Sequence, residues 1–125
     1  MAEALFEGDE VRLPFSLEAE QSVLGAVLLK PECFSTVLEY IGAESFYRKQ
    51  HQQIFAIMLQ MYTTARGIDV ITVLEEVKKQ EVFSAENEAK VYLMQLVQVV
   101  PGTSNVVYYA KIVQEKYYLR RLIVM

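Results

Sequence analysis

Apolar positions recur along this chain at intervals of three and four, the spacing of one helical face. Ala19, Val23, Leu24, Val27 and Leu28 mark a first helix. Phe34, Val37, Leu38 and Ile41 mark a second, and Ile54, Phe55, Met58, Met61, Tyr62 and Ala65 a long third from about Tyr47 to Thr64. Val70, Val73, Leu74 and Val77 give a fourth, and Leu93, Leu96, Val97 and Val100 a fifth over about residues 85–99. The last stretch, Thr103 to Met125, differs because it carries two apolar rows. Val106, Tyr109, Ala110, Val113 and Tyr117 form one; Tyr108, Ile112, Leu119 and Leu122 or Ile123 form another. A helix packed on one core has one apolar stripe and a polar back. Two rows imply a partner inside the domain and a partner outside it, and the rest of the chain is expected to be arranged around this stretch. Leu122-Ile123-Val124-Met125 ends without Gly, Asn or Pro, so the pattern predicts a helix cut before its natural stop.

Local signals punctuate these helices. Ser16 is a candidate N-cap, with Glu18 and Glu20 complementing the helix dipole in the first turn. Gly25, inside the first helix, predicts the close approach of another helix. Pro31 ends that helix and opens the next, Gly42 is a C-cap candidate, and Arg66-Gly67 terminates the third. Asp69 is the N-cap of the fourth helix, and Thr103 or Ser104 caps the last after the Pro101-Gly102 break. Val82 and Phe83 are expected to tuck inward between the fourth and fifth helices. The β-branched run Val70 to Val73 would suit a strand, but it continues into a helical pattern and a lone strand has no partner. The fold class is therefore all-α, a bundle of about six helices. Residues 1–13, with Glu3, Glu7, Asp9 and Glu10, read as a flexible acidic arm, 14–102 as the globular part and 103–125 as the last helix.

Composition narrows the function. The chain has 125 residues, enough for one domain with its own core, and 53% are hydrophobic. A net charge of −4 argues against duplex DNA binding, which draws its affinity from a basic surface. A small helix-turn-helix regulator is the alternative that the short helices allow, but no basic recognition helix supports it. Cys33 stands alone and cannot form an internal disulfide. The acidic N-terminus is unlike a signal peptide, and the longest apolar run, Val23 to Leu29, is too short to span a membrane. The expected location is the cytoplasm. No G-x-x-x-x-G-K-[ST] or G-x-G-x-x-G occurs, so no phosphate cradle is expected. One Cys and one His cannot make a zinc site, and His51 is expected to pack or to bond a loop carbonyl. No nucleophile, base and orienting acid stand at a telling spacing, so no catalytic residue, cofactor or metal is assigned. An enzyme would need a buried carboxylate or His51 in a polar pocket, which periodicity does not reveal.

Several pieces together are more specific. Pro14-x-Ser16-x-Glu18-Ala19-Glu20-Gln21-x-Val23-Leu24-Gly25 is followed by Phe46-Tyr47-x-x-x-His51-x-x-Ile54-Phe55 and Ile68-Asp69. Next come Tyr92-Leu93-x-x-Leu96 and Pro101-x-x-x-Asn105-x-x-x-Tyr109-Ala110-x-Ile112-Val113-x-Glu115-x-x-x-x-Arg120-Arg121-Leu122-Ile123. In this order, from Pro14 to the end, they resemble the N-terminal domain of bacterial replicative DNA helicases of the DnaB family. The resemblance implies an all-α, non-catalytic collar domain. In the family it is joined by a linker to a RecA-like motor that uses ATP and Mg. It also implies that the last helix is the first arm of a helical hairpin, here truncated. The hairpins pair subunits into dimers and a trimer of dimers, and the collar docks the C-terminal domain of primase. Weak contact with single-stranded DNA threading the collar is compatible with it. By position, Tyr92, Ile123 and Glu18 become the expected partner-facing residues. Tyr108, Ile112, Leu119 and Leu122 become the expected self-association face. One departure stands out. The family often has Gly-Gly before the Tyr-Leu pair, whereas Glu88-Ala89-Lys90-Val91 here predicts extra helix.

Overall fold

The structure, a computed structural model, describes residues 6–7, 10–11 and 13–124. Two short strands, β1 (Phe6–Glu7) and β2 (Glu10–Val11), pair antiparallel with Phe6 opposite Val11. The acidic segment read as a flexible arm contains a two-strand pairing, and its residues 1–5, 8–9 and 12 lie outside the described residues. Six α-helices follow: α1 (Leu17–Leu29), α2 (Phe34–Val37), α3 (Lys49–Thr63), α4 (Val70–Lys79), α5 (Glu86–Val99) and α6 (Val106–Val124). Single 3-10 turns at Pro31–Cys33, Ala43–Ser45 and Thr103–Asn105 join some of them.

The hub is α1 rather than the last helix. It packs against α3, α5 and α6, and Ser22 to Leu28 are buried without interruption. Its Ser16 cap forms as expected, with the Ala19 N–H donating to Ser16 Oγ at 3.1 Å. Gly25 is where α5 crosses. A Cβ there would stand 2.1 Å from the Leu96 carbonyl oxygen, so only a residue without one fits. Phe34, Phe46, Phe55, Met58 and Leu93 fill the space between the helices. Val113 and Ala110 close the core from the α6 side.

Asp69 caps α4 reciprocally. It accepts from Thr72 N–H at 2.9 Å, while its own N–H donates to Thr72 Oγ1 at 3.0 Å. Val82 is buried and Phe83 half-buried, as the pattern predicts, and Glu88 to Val91 are helical within α5. Four boundaries differ. The second helix shrinks to the single turn α2. Gly42 is not its C-cap but starts the next 3-10 turn in an extended conformation, with Ser45 Oγ accepting from its N–H. The α6 entrance uses a 3-10 turn over Thr103–Asn105 instead of a Thr103 or Ser104 side-chain cap.

The end of α3 depends on Ala65, not on Gly67. Ala65 adopts φ 59°, with Arg66 N–H donating to the Met61 carbonyl at 2.8 Å and Ala65 N–H to that of Tyr62 at 3.2 Å. Glu81 repeats this left-handed stop after α4, at φ 53°, with Val82 N–H donating to the Val77 carbonyl at 3.2 Å.

Candidate functional site

The polar residues of α1, α3 and α5 meet inside the bundle. Glu20 lies in the first turns of α1, yet it is buried and does more than complement the dipole. Its Oε2 accepts the Tyr47 N–H at 2.7 Å and its Oε1 the Arg48 N–H at 3.4 Å. Oε1 also meets His51 Nδ1 at 2.7 Å. These bonds close the entrance of α3, whose cap position, Arg48, supplies no side-chain cap of its own. The other His51 nitrogen, Nε2, meets the Tyr92 hydroxyl at 2.5 Å, and the Gln21 amide donates to that hydroxyl at 3.2 Å. His51 is 0% exposed and its ring stacks on Tyr92 with centroids 5.8 Å apart. The expectation that this lone histidine packs inside is met, although its polar partners are side chains rather than a loop carbonyl.

The chain Glu20–His51–Tyr92 opens at one end onto a cleft of about 450 Å³, walled by Arg48 and Gln50 on one side and Phe83, Glu88, Val91 and Gln95 on the other. A buried carboxylate and a histidine beside a cleft are what an enzyme reading requires. Here, however, both carboxylate oxygens and both ring nitrogens are already engaged within the fold. Among the described residues no cluster of three metal-binding side chains exists. Burial pushes the Cys33 thiol above its ordinary pKa.

A second internal clasp holds α6. Arg120 is buried, donating to the Pro14 carbonyl at 2.9 Å and to the Ser45 carbonyl at 2.7 Å. Its guanidinium lies 5.4 Å from the Tyr47 ring centroid and 5.9 Å from that of Tyr117. Phe15 stacks on Tyr47 at 4.3 Å. Burial lowers the Arg120 pKa, and the nearby Glu20, Tyr47 and Tyr117 oppose that shift. Arg121, one residue on, is exposed, and a hydrogen bond to the Tyr117 hydroxyl raises its pKa.

The other side of α6 is bare. Tyr108 is 65% exposed and Leu122 69%, with Leu119, Ile123 and Val124 exposed beside them. Ile112 is half-buried at the margin between the two faces. Tyr108, Ile112 and Leu119 line one shallow groove together with Tyr118. Leu122 and Ile123 lie beyond it, one turn further along. Of the residues expected to face a partner, Glu18 is exposed on α1 and Ile123 on α6. Tyr92 is half-buried in the α5 cleft with its hydroxyl committed inward. Neither Glu18 nor Ile123 lines the Tyr92 cleft, so the three do not form one constellation. From sequence Glu20 reads only as a complement to the helix dipole, and Arg120 carries no role of its own. Both lie within the family-like motifs, but their partners are tens of residues away and periodicity is blind to them.

These features define an all-α domain with its polar chemistry turned inward and one apolar helix face turned outward. Among the described residues no helix is long and apolar enough to cross a membrane. The chain belongs to the DnaB-like helicase N-terminal domain family, whose model matches residues 12–115. It is 44% identical over 110 residues to the replicative DNA helicase DnaB of Geobacillus stearothermophilus, covering 88% of this chain and 24% of that protein. It is 39% identical over 110 residues to the replicative DNA helicase DnaC of Bacillus subtilis, with the same coverage of 88% and 24%. The chain thus spans about a quarter of the length of these relatives. The crystal structure of the N-terminal domain of DnaB helicase from Mycobacterium tuberculosis superposes with a TM-score of 0.82 at 39% identity, over 89% of this chain and 80% of that one.

Proposed function

We propose that this domain is a non-catalytic collar module of a cytoplasmic replicative helicase, pairing subunits through α6 and docking the C-terminal domain of primase. The observation that carries the reading is the bare apolar row Tyr108, Leu119, Leu122 and Ile123 on a helix whose opposite side is core. A row of this kind on a soluble surface marks a protein contact. Tyr108, Ile112, Leu119 and Leu122 supply the self-association face, and Ile123, Tyr92 and Glu18 supply contacts for primase. In this reading ATP and Mg serve the motor domain of the family, and the collar role needs neither. A role in guiding single-stranded DNA through a collar is secondary, because the chain's net charge of −4 offers little to phosphates.

Titration of the domain with the isolated C-terminal domain of primase, followed by calorimetry, tests the docking claim. Binding at or below tens of micromolar, together with no ATP hydrolysis by the domain, is the expected result. Absence of binding at that concentration refutes the docking claim. Hydrolysis of ATP that tracks the purified chain refutes the non-catalytic one.

A further inference from the structure

We infer that Glu20 and His51 are positioning residues that fix the hydrogen-bond polarity of Tyr92, so that the α5 wall of the cleft receives a Lys or Arg side chain of the docked partner. The inference rests on the docking reading above for its partner, and its first half does not need that reading.

The polarity follows from one end of the chain. Glu20 accepts two backbone donors, the Tyr47 N–H and the Arg48 N–H, and its Oε1 also faces His51 Nδ1. Two backbone N–H groups already fix Glu20 as an acceptor, and an acceptor facing Nδ1 at 2.7 Å assigns the ring proton to Nδ1. With a single ring proton placed there, Nε2 is an acceptor, and the hydrogen in its bond to Tyr92 comes from the phenol. The Tyr92 oxygen in turn accepts from the Gln21 amide. Every bond runs in one direction, from Gln21 through Tyr92 and His51 to Glu20. The Tyr92 proton is held inside, and any group that reaches this oxygen from the cleft meets a lone pair.

The rest of the wall agrees in sign. Glu88 and Tyr92 are four residues apart on α5, and Gln95 three further on, so the three share one face. All three line the cleft. A carboxylate, a phenolic lone pair and an amide carbonyl together suit a cationic donor. The Phe83 and Tyr92 rings, with centroids 5.4 Å apart, offer an apolar seat for the stem of a Lys or Arg. Arg48 lines the α3 side and disfavours a second cation there, which restricts the position to the α5 wall.

The chain contains a single histidine, so its tautomer can be read without assignment from long-range nitrogen–proton correlations of the labelled protein. Near neutral pH the spectrum is expected to show Nδ1 protonated and Nε2 bare. A proton on Nε2, on both nitrogens or averaged between them overturns the polarity argument. The second half is tested with the primase C-terminal domain. Tyr92→Phe and Glu88→Gln are each expected to weaken binding about three- to tenfold. In double-mutant cycles at least one partner Lys or Arg should couple to them. Affinity unchanged by both variants, or coupling only to partner carboxylates, overturns the cation contact while leaving docking intact. No binding by the wild-type domain removes docking and the cation contact together, whatever the tautomer.

Discussion

Helices α1 and α6 look alike in sequence and have opposite surroundings. Both are apolar on more than one side. From Ala19 to Leu28 α1 is covered by α3, α5 and α6, with only Gln21 half-buried, and even Glu20 and Ser22 are sealed in. Around α6 one side is covered and the other is open. A helix that is apolar all round belongs in an interior. By that rule α1 is already at home, and α6 needs something more to cover it. The difference also separates two uses of polar groups. In α1 the polar residue holds the fold together from within, and at Arg120 of α6 the same job is done at the edge.

If this contrast is right, substitutions in α1 and at the clasps cost stability, and those on the outer face of α6 do not. The largest effect is expected at Glu20→Ala, which strands His51 and two backbone N–H groups in the interior. A loss of about 3–5 kcal/mol in urea unfolding is expected. A loss below about 1 kcal/mol would mean that water reaches these groups. Arg120→Ala removes two charge-assisted hydrogen bonds and the filling between Tyr47 and Tyr117, for a loss of about 2–3 kcal/mol. Proteolysis should then begin at the segment before Ser16, which the Pro14 contact holds down. Gly25→Ala forces α1 and α5 apart at Leu96 and should lower stability by about 1–3 kcal/mol, read as a drop in melting temperature by circular dichroism. Smaller and opposite in sign are Ala65→Gly and Glu81→Gly. Each relieves a left-handed residue at a helix stop and should add about 0.5–1 kcal/mol in chemical denaturation.

The same contrast shows what the sequence makes legible. Local rules are enough where the partner is local, as for Ser16 and Asp69 as caps, and a mid-helix glycine is enough to mark Gly25 as a crossing point without naming Leu96. They failed where a distant residue decides. Glu20 resembles any first-turn acid until Tyr47, Arg48 and His51 arrive some thirty positions later. Tyr92 is expected only to face a partner, because nothing near it announces the histidine beneath it. Gly42 and Gly67 are natural stop signals, yet the left-handed positions fall to Ala65 and Glu81, where backbone bonding to Met61 and Val77 fixes the turn. The two rows of α6 were visible as a pattern. Which row would be covered needed the packing of α1 against Ala110 and Val113.

The central claim is that α6 folds the domain with one face and pairs subunits with the other. Sedimentation equilibrium of the wild type and of Leu122→Asp, with melting curves on the same samples, tests it most directly. The account predicts that the wild type self-associates, whereas Leu122→Asp is monomeric and its unfolding free energy is unchanged to within about 0.5 kcal/mol. A wild-type domain that stays monomeric at several hundred micromolar would contradict it. So would a Leu122→Asp variant that loses stability as severely as Glu20→Ala.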